Sequence, residues 1–217
     1  IVAGLVVKQR IKDKFKKYSK EALSNGMSGA EIAQRMLDDH GIHDVRIESV
    51  AGKLTDHYNP ANKTVNLSPD VYSGRSVSSA AVAAHEVGHA VQHAQSYRWL
   101  EMRSQLVPMV QFSGRIMNIV IWSMILGVGF LGIFGVNTAI WVLIAAQLAI
   151  TTFSLVTLPV EYDASNRALA WLTTSGLITT DEHAKADDAL SWAARTYLVA
   201  ALASMAQLAY YFTLLRD

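Results

Sequence analysis

Cysteine is absent from the 217 residues. That excludes disulfides and any metal site built on thiolates. No internal repeat and no low-complexity linker interrupts the chain. A large net charge is missing too: 19 Lys and Arg stand against 18 Asp and Glu, for a formal charge of +1. The total therefore says little, whereas the placement of the charges says more, and nothing in it points to nucleic acid. Asp-Gly occurs nowhere, and Glu-x-x-His occurs once. The chain does not open on Met; Ile1-Val2-Ala3-Gly4-Leu5-Val6-Val7 reads as the tail of an apolar segment.

Apolar content is abundant. Hydrophobic residues make up 51% of the chain, and mean hydropathy is +0.21, high for a soluble domain. The excess lies in three blocks. Met117–Phe134 and Thr138–Leu158 are long enough to span a bilayer, which takes about 20 apolar residues. They are separated by the uncharged turn Gly135-Val136-Asn137. Tyr197–Leu215 is the third block. Lys8, Arg10, Lys12, Lys14, Lys16 and Lys17 follow the N-terminal apolar residues, as juxtamembrane cytoplasmic clusters do. Of the 19 Lys and Arg, 18 precede or follow the spans on one side, with Arg216 alone on the other. The expectation is a multi-pass cell-membrane protein with that side in the cytoplasm.

On the same side lies Ala83-Ala84-His85-Glu86-Val87-Gly88-His89-Ala90-Val91. Helical residues four apart share a face, so His85 and His89 can hold one ion between them. Imidazole nitrogen suits zinc at about 2.0–2.1 Å. Zinc lowers the pKa of its water from about 15.7 toward about 7, and Glu86, one residue on, can take the proton. Two histidines on a helix without metal is the plain alternative. Ser78 and Ser79 are the candidate caps of this helix, which is expected to continue to Trp99. Gly88, costly inside a helix, marks a close backbone approach.

Upstream, Ser28-Gly29-Ala30-Glu31 is a capping box for a helix through His40, ended by Gly41. Short strands are expected over Val45–Val50, Leu54–Tyr58 and Thr64–Leu67. A strand edge just before the histidine helix could hold an extended peptide by backbone hydrogen bonds. Downstream, residues 100–115 are expected along the membrane surface. A helix from Val160 through Trp171 breaks at Ser175-Gly176, and Thr179 or Thr180 caps another.

A catalytic zinc needs a third protein ligand and an open position. After the two spans, the first acidic residue is Glu161. A helical hairpin returns its ends to one bilayer face, so Glu161 can come back beside His85 and His89. Asp163, about 200° further round a helix, points elsewhere. His93 continues the His85, His89 column, but at about 1.5 Å per residue it lies about 12 Å from His85. One ion cannot bind both, so His93 reads as a cleft or structural residue. His57, beside Asp56 and Tyr58, could polarise a substrate carbonyl, a role for which Arg167 competes. A surface histidine is the plainer reading of His57. Gln147 and Gln207, within apolar blocks, read as interhelical hydrogen-bond partners.

The chain resembles the YugP-like zinc-dependent membrane proteases of bacteria nearly end to end. The likeness rests on the basic post-membrane segment, Gly41-Ile42-His43-Asp44-Val45, Leu54 to Pro60, Leu67-Ser68-Pro69, Ala83 to Gln92, and Leu158 to Ser165. It implies a zinc metallopeptidase. The site is also similar to that of gluzincin membrane proteases of the HtpX and CAAX-processing type, whose third ligand is the Glu of Glu-x-x-Ala-Asp. Glu161 and Ala164 match that pattern; Ser165 stands where the Asp would be. The carboxylate that would orient one histidine is thus missing from its position.

The fold expected is a mainly α integral membrane protein. A zincin-like helix and small sheet lie on the membrane surface, joined to a transmembrane bundle. Its parts are residues 1–20 (end of a first span and basic segment), 21–115 (catalytic region), 116–159 (transmembrane hairpin), 160–195 (third-ligand helix and the next) and 196–217 (last span). The expected activity is peptide-bond hydrolysis in membrane or membrane-proximal proteins, with one Zn²⁺ per chain held by His85, His89 and Glu161, and with Glu86 as base. His93, His57, Ser165 and Arg167 are candidates for substrate contact or ligand support. A site-2-type intramembrane protease would need Asp-Gly, and a di-iron bundle would need two copies of Glu-x-x-His. A zinc-binding adaptor would have no use for Glu86. Substrate identity and oligomeric state are not readable.

Overall fold

The computed structural model describes residues 2–126 and 130–215. Ile1, the middle of the expected span Met117–Phe134 at residues 127–129, and Arg216 lie outside the described residues. The chain is mainly helical, with one small sheet. In order the elements are α1 (Val2–Tyr18), α2 (Gly29–Asp39), β1 (Arg46–Ser49), β2 (His57–Asn59), β3 (Thr64–Leu67), α3 (Pro69–Tyr72), α4 (Val77–Ala94), α5 (Arg98–Leu126), α6 (Phe130–Thr174) and α7 (Thr180–Thr213). They form two compact units, Ile1–Leu100 with Val160–Thr196, and Glu101–Pro159 with Tyr197–Asp217.

The first unit is built around α4. Helix α2 starts at the expected capping box, with the Ser28 side chain accepting from the Glu31 N–H and the Glu31 carboxylate accepting from the Ser28 N–H. Two orphan donors are thereby satisfied. Its apolar stripe, Ile32, Ala33, Met36 and Leu37, is fully buried in a core shared with Val65 and Leu67 of β3, the alanine-rich α4, and Ala168 and Leu172 of α6. The sheet has the order β1-β3-β2, with β1 parallel and β2 antiparallel to β3. The strand immediately before the histidine helix is thus central and buried along its length. It has no edge to offer a peptide, contrary to the sequence expectation; the free edge on this side belongs to β2. That strand begins three residues later than expected because Leu54, at φ 57°, is in the left-handed region and cannot extend the strand.

Helix α4 is capped by Ser76, not by Ser78 or Ser79. Ser76 has extended backbone, and its hydroxyl accepts from the Ser79 N–H at 3.2 Å. The helix stops at Ala94 rather than Trp99, because Ser96 turns into the left-handed region at φ 51°. Residues 100–115 then belong to the long helix α5. Helix α6 runs through Pro159 to Thr174 without a break there; its non-helical residue is Gly135, at φ 75°. Thr179 caps α7 in a second reciprocal pair with Glu182. Lys14 and Tyr18 of α1 both reach Asp188 of α7, at 2.5 Å each.

The second unit has its own apolar cluster around Val120, Ile140, Leu143 and Tyr211. Gln147 donates to the Ser204 carbonyl at 3.1 Å, the interhelical bond expected of it. Gln207, expected to make such a bond, is exposed. Among the described residues, two helices are long and apolar enough to cross a membrane, Arg98–Leu126 and Gly135–Thr174. The Tyr197–Leu215 stretch is not one of them; it carries Ser204, Gln207 and Thr213 among its apolar residues.

Gly88 carries the approach of α4 to α6. A Cβ there would sit 2.6 Å from the Ala164 carbonyl oxygen. Backbone cannot yield as a flexible side chain can. Gly88→Ala is therefore expected to cost about 1–3 kcal/mol, read as a lowered unfolding midpoint. Gly114→Ala, where a Cβ meets nothing within 4 Å, should stay within about 0.5 kcal/mol of wild type.

Candidate metal centre

The contact at Gly88 determines what stands beside it. His85 and His89 project from one face of α4, their rings 4.8 Å apart and nearly perpendicular. Glu161, 2% exposed, comes to them from α6. Its Oε2 lies 3.4 Å from His85 Nε2 and 3.7 Å from His89 Nε2. One ligand atom from each residue falls within 4.8 Å of the others. Three ligands on a tetrahedral zinc at about 2.0–2.2 Å are about 3.3–3.5 Å apart. The two imidazoles and one carboxylate suit that ion in donor type, and the two carboxylate–imidazole distances lie close to its spacing.

Both histidines are held from behind. His85 Nδ1 lies 3.1 Å from Ser165 Oγ, so a hydroxyl occupies the place where a carboxylate is missing. His89 Nδ1 lies 3.0 Å from Gln92 Oε1. Gln92 is completely buried, and its amide nitrogen donates to the Val160 carbonyl and to Asp163 Oδ2, each at 2.8 Å. Asp163 is not a member of that cluster, and what it meets is Gln92.

Glu86 is buried, and its Oε2 accepts from the Tyr58 N–H of β2 at 2.9 Å. Burial pushes its pKa up, with Glu161 and Asp56 adding to the rise; His85 and the Tyr58 N–H oppose it, and the result is about 7. A carboxylate tuned near neutrality suits proton transfer at physiological pH.

The remaining candidates are dispersed. His93 bonds the Tyr58 hydroxyl at 2.8 Å, bracing β2 against α4. His57 is exposed, with Nδ1 on the Thr55 carbonyl side at 2.8 Å. Arg167 is occupied: its Nε donates to Asp163 at 2.5 Å and its Nη1 to Gln95 at 2.6 Å, and it stacks on the Tyr97 ring. Sequence reasoning missed Gln92 and Tyr58. Gln92 had a signal, since it lies three residues after His89 on the ligand face. Tyr58 acts here through its backbone N–H, which no side-chain pattern announces.

Comparison with known proteins agrees with this chemistry. Residues 1–216 match the family described as "putative neutral zinc metallopeptidase". The chain is 42% identical over 199 residues to a Bacillus subtilis (strain 168) protein described as "putative membrane protease YugP", covering 92% of this chain and 85% of that one. No solved structure matches significantly.

The raised pKa of Glu86 has a consequence in metal-free protein. The unfolded chain releases this proton near the ordinary value of 4.5, whereas the folded one holds it to about 7. The stability it contributes is fully present below the unfolded value and is lost as pH rises through about 7. Glu86→Gln does not titrate. Its stability relative to wild type should rise between pH 4.5 and 8 by up to about 3 kcal/mol, measured by denaturant unfolding in chelator. A pH-independent difference would contradict this reading.

Proposed function

The chain belongs to the neutral zinc metallopeptidase family, and from that premise we propose that it is an integral-membrane zinc endopeptidase. The observation that carries the proposal is the meeting of His85, His89 and the buried Glu161, with the Glu86 carboxylate one residue along the histidine helix. His85, His89 and Glu161 would hold one zinc ion, which supplies a Lewis acid for the scissile carbonyl and makes its water acidic. Glu86 takes a proton from the attacking water and passes it to the leaving amine. The Tyr58 N–H fixes the Glu86 carboxylate, and burial keeps its proton affinity high enough to receive.

An extended peptide is best accommodated along β2. The N–H and C=O of one strand residue point the same way. Tyr58 turns its N–H to Glu86, so its carbonyl faces the free edge and can accept from a substrate N–H. This moves the peptide from the strand preceding α4 to the outer one.

The membrane part of the proposal rests on charge and hydropathy. Two helices can cross a bilayer, and the stretch that joins them has no Lys or Arg between Arg115 and Arg167, so the basic residues lie on the side of the histidines. By the positive-inside tendency, the site faces the cytoplasm, and its substrates are membrane proteins or their cytoplasmic tails.

In the purified full chain, Glu86→Gln should keep about one zinc per chain and lose peptidase activity by about 10²–10⁴-fold, whereas Glu161→Ala should lose the zinc. Undiminished cleavage by Glu86→Gln would overturn the proposal.

A further inference from the structure

A histidine that ligates through Nε2 must carry its proton on Nδ1, and an acceptor facing Nδ1 holds it there. The two ligand histidines differ in how firmly this is enforced. Ser165 Oγ, facing His85, can donate or accept and so imposes no tautomer. Gln92 faces His89 with an amide, which could in principle turn either end toward the ring. Its other end settles the matter. The Val160 carbonyl and the Asp163 carboxylate both lie 2.8 Å from the same atom, and both only accept. That atom must be the NH₂, which leaves Oε1 against His89 Nδ1 at 3.0 Å. Turning the amide over would set the oxygen of the fully buried Gln92 against two other acceptors with no proton of its own to share, at the cost of unsatisfied polar groups.

We infer that Gln92 and Asp163 form a relay that fixes His89 as an Nε2 metal ligand, so that the orienting carboxylate acts two residues from position 165, through an amide, and on the other histidine. Asp163 is itself held. Arg167 Nε donates to it at 2.5 Å, and the same guanidinium reaches Gln95 at 2.6 Å and stacks on Tyr97 at 5.6 Å. Gln95 and Tyr97 belong to the turn that ends α4, where the Tyr97 N–H returns to the Gln92 carbonyl at 2.9 Å. The relay therefore starts and finishes on the histidine helix. Arg167, considered from sequence as a substrate contact, is a positioning residue in this arrangement, as are Gln92 and Asp163.

The inference rests on the reading of His89 as a zinc ligand, and the test separates the two. Zinc affinity of the full-length protein is measured by competition with a chromogenic chelator for wild type, His89→Ala, Gln92→Met, Asp163→Asn and Ser165→Ala. Gln92→Met keeps the volume and removes the acceptor, and a 10–100-fold weakening is expected. Asp163→Asn, at a part-exposed position, keeps the shape while freeing the amide to turn, and a smaller weakening of several-fold is expected. Ser165→Ala should cost less than Gln92→Met. In ¹⁵N-histidine spectra of the zinc-loaded protein, a slowly exchanging Nδ1 proton that disappears in His89→Ala should be present in wild type and exchange quickly in Gln92→Met. If His89→Ala loses zinc while both Gln92→Met and Asp163→Asn bind like wild type, the relay is wrong and the metal site stands. If His89→Ala binds zinc like wild type, the ligand assignment itself falls. Should Gln92→Met fail to fold, wild-type zinc affinity in Asp163→Asn suffices to overturn the relay.

Discussion

The close contact between α4 and α6 at Gly88 and Ala164 is the constraint on which the site depends. Where a Cβ would lie 2.6 Å from a backbone oxygen, only hydrogen fits, and the two backbones come near enough for short side chains to meet. The residues next to the contact on each helix are the ones that matter. His89 follows Gly88 and Ser165 follows Ala164, while Glu161 lies one turn before Ala164 and His85 one turn before His89. A helix pair held further apart would leave a carboxylate and two imidazoles buried without reaching one another, an arrangement that low-dielectric surroundings penalise heavily.

Burying so much polarity beside a small apolar core calls for complete pairing. Tyr58 returns an N–H to Glu86, Ser165 and Gln92 stand behind the two histidines, and Gln92 spends its donors on Val160 and Asp163. The sheet contributes through the same accounting of donors and acceptors. Strand β3 is paired on both sides, so outward backbone groups belong to the edge strands β1 and β2, and one of those on β2 is already directed at Glu86. Fold and site chemistry thus share residues, and the small sheet serves both to cover α4 and to fix the candidate base.

Much of this was legible in the residues alone. The His85-Glu86-x-x-His89 spacing, the Ser28–Glu31 capping box, Gly88 as a point of close approach and Glu161 as the carboxylate that returns beside the two histidines follow from helical periodicity, cap chemistry and donor type, which are local. What was not legible was set by tertiary context. Ser76 rather than Ser78 caps α4 because of its extended backbone, Leu54 delays β2 by a left-handed turn, and Ser96 ends α4 early. Pro159 sits inside a continuous helix, so the span expected to end at Leu158 and the helix expected to begin at Val160 are one element. The sheet order, which removed the edge from β3, depends on pairings between segments that carry no register signal of their own. Gln92 was overlooked because an amide is neither a metal ligand nor a charge, and its meaning comes only from the three acceptors and donors around it.

The central claim, that two imidazoles from α4 and one carboxylate from α6 form a single metal centre, is tested most directly by X-ray absorption at the zinc edge of the full-length protein. One zinc per chain is expected, in a shell of nitrogen and oxygen donors at about 2.0–2.2 Å, with multiple-scattering features of two imidazoles. Replacing Glu161 by Ala should abolish the edge signal together with the bound zinc. A shell with three or more imidazoles, or one unchanged by that replacement, would contradict it.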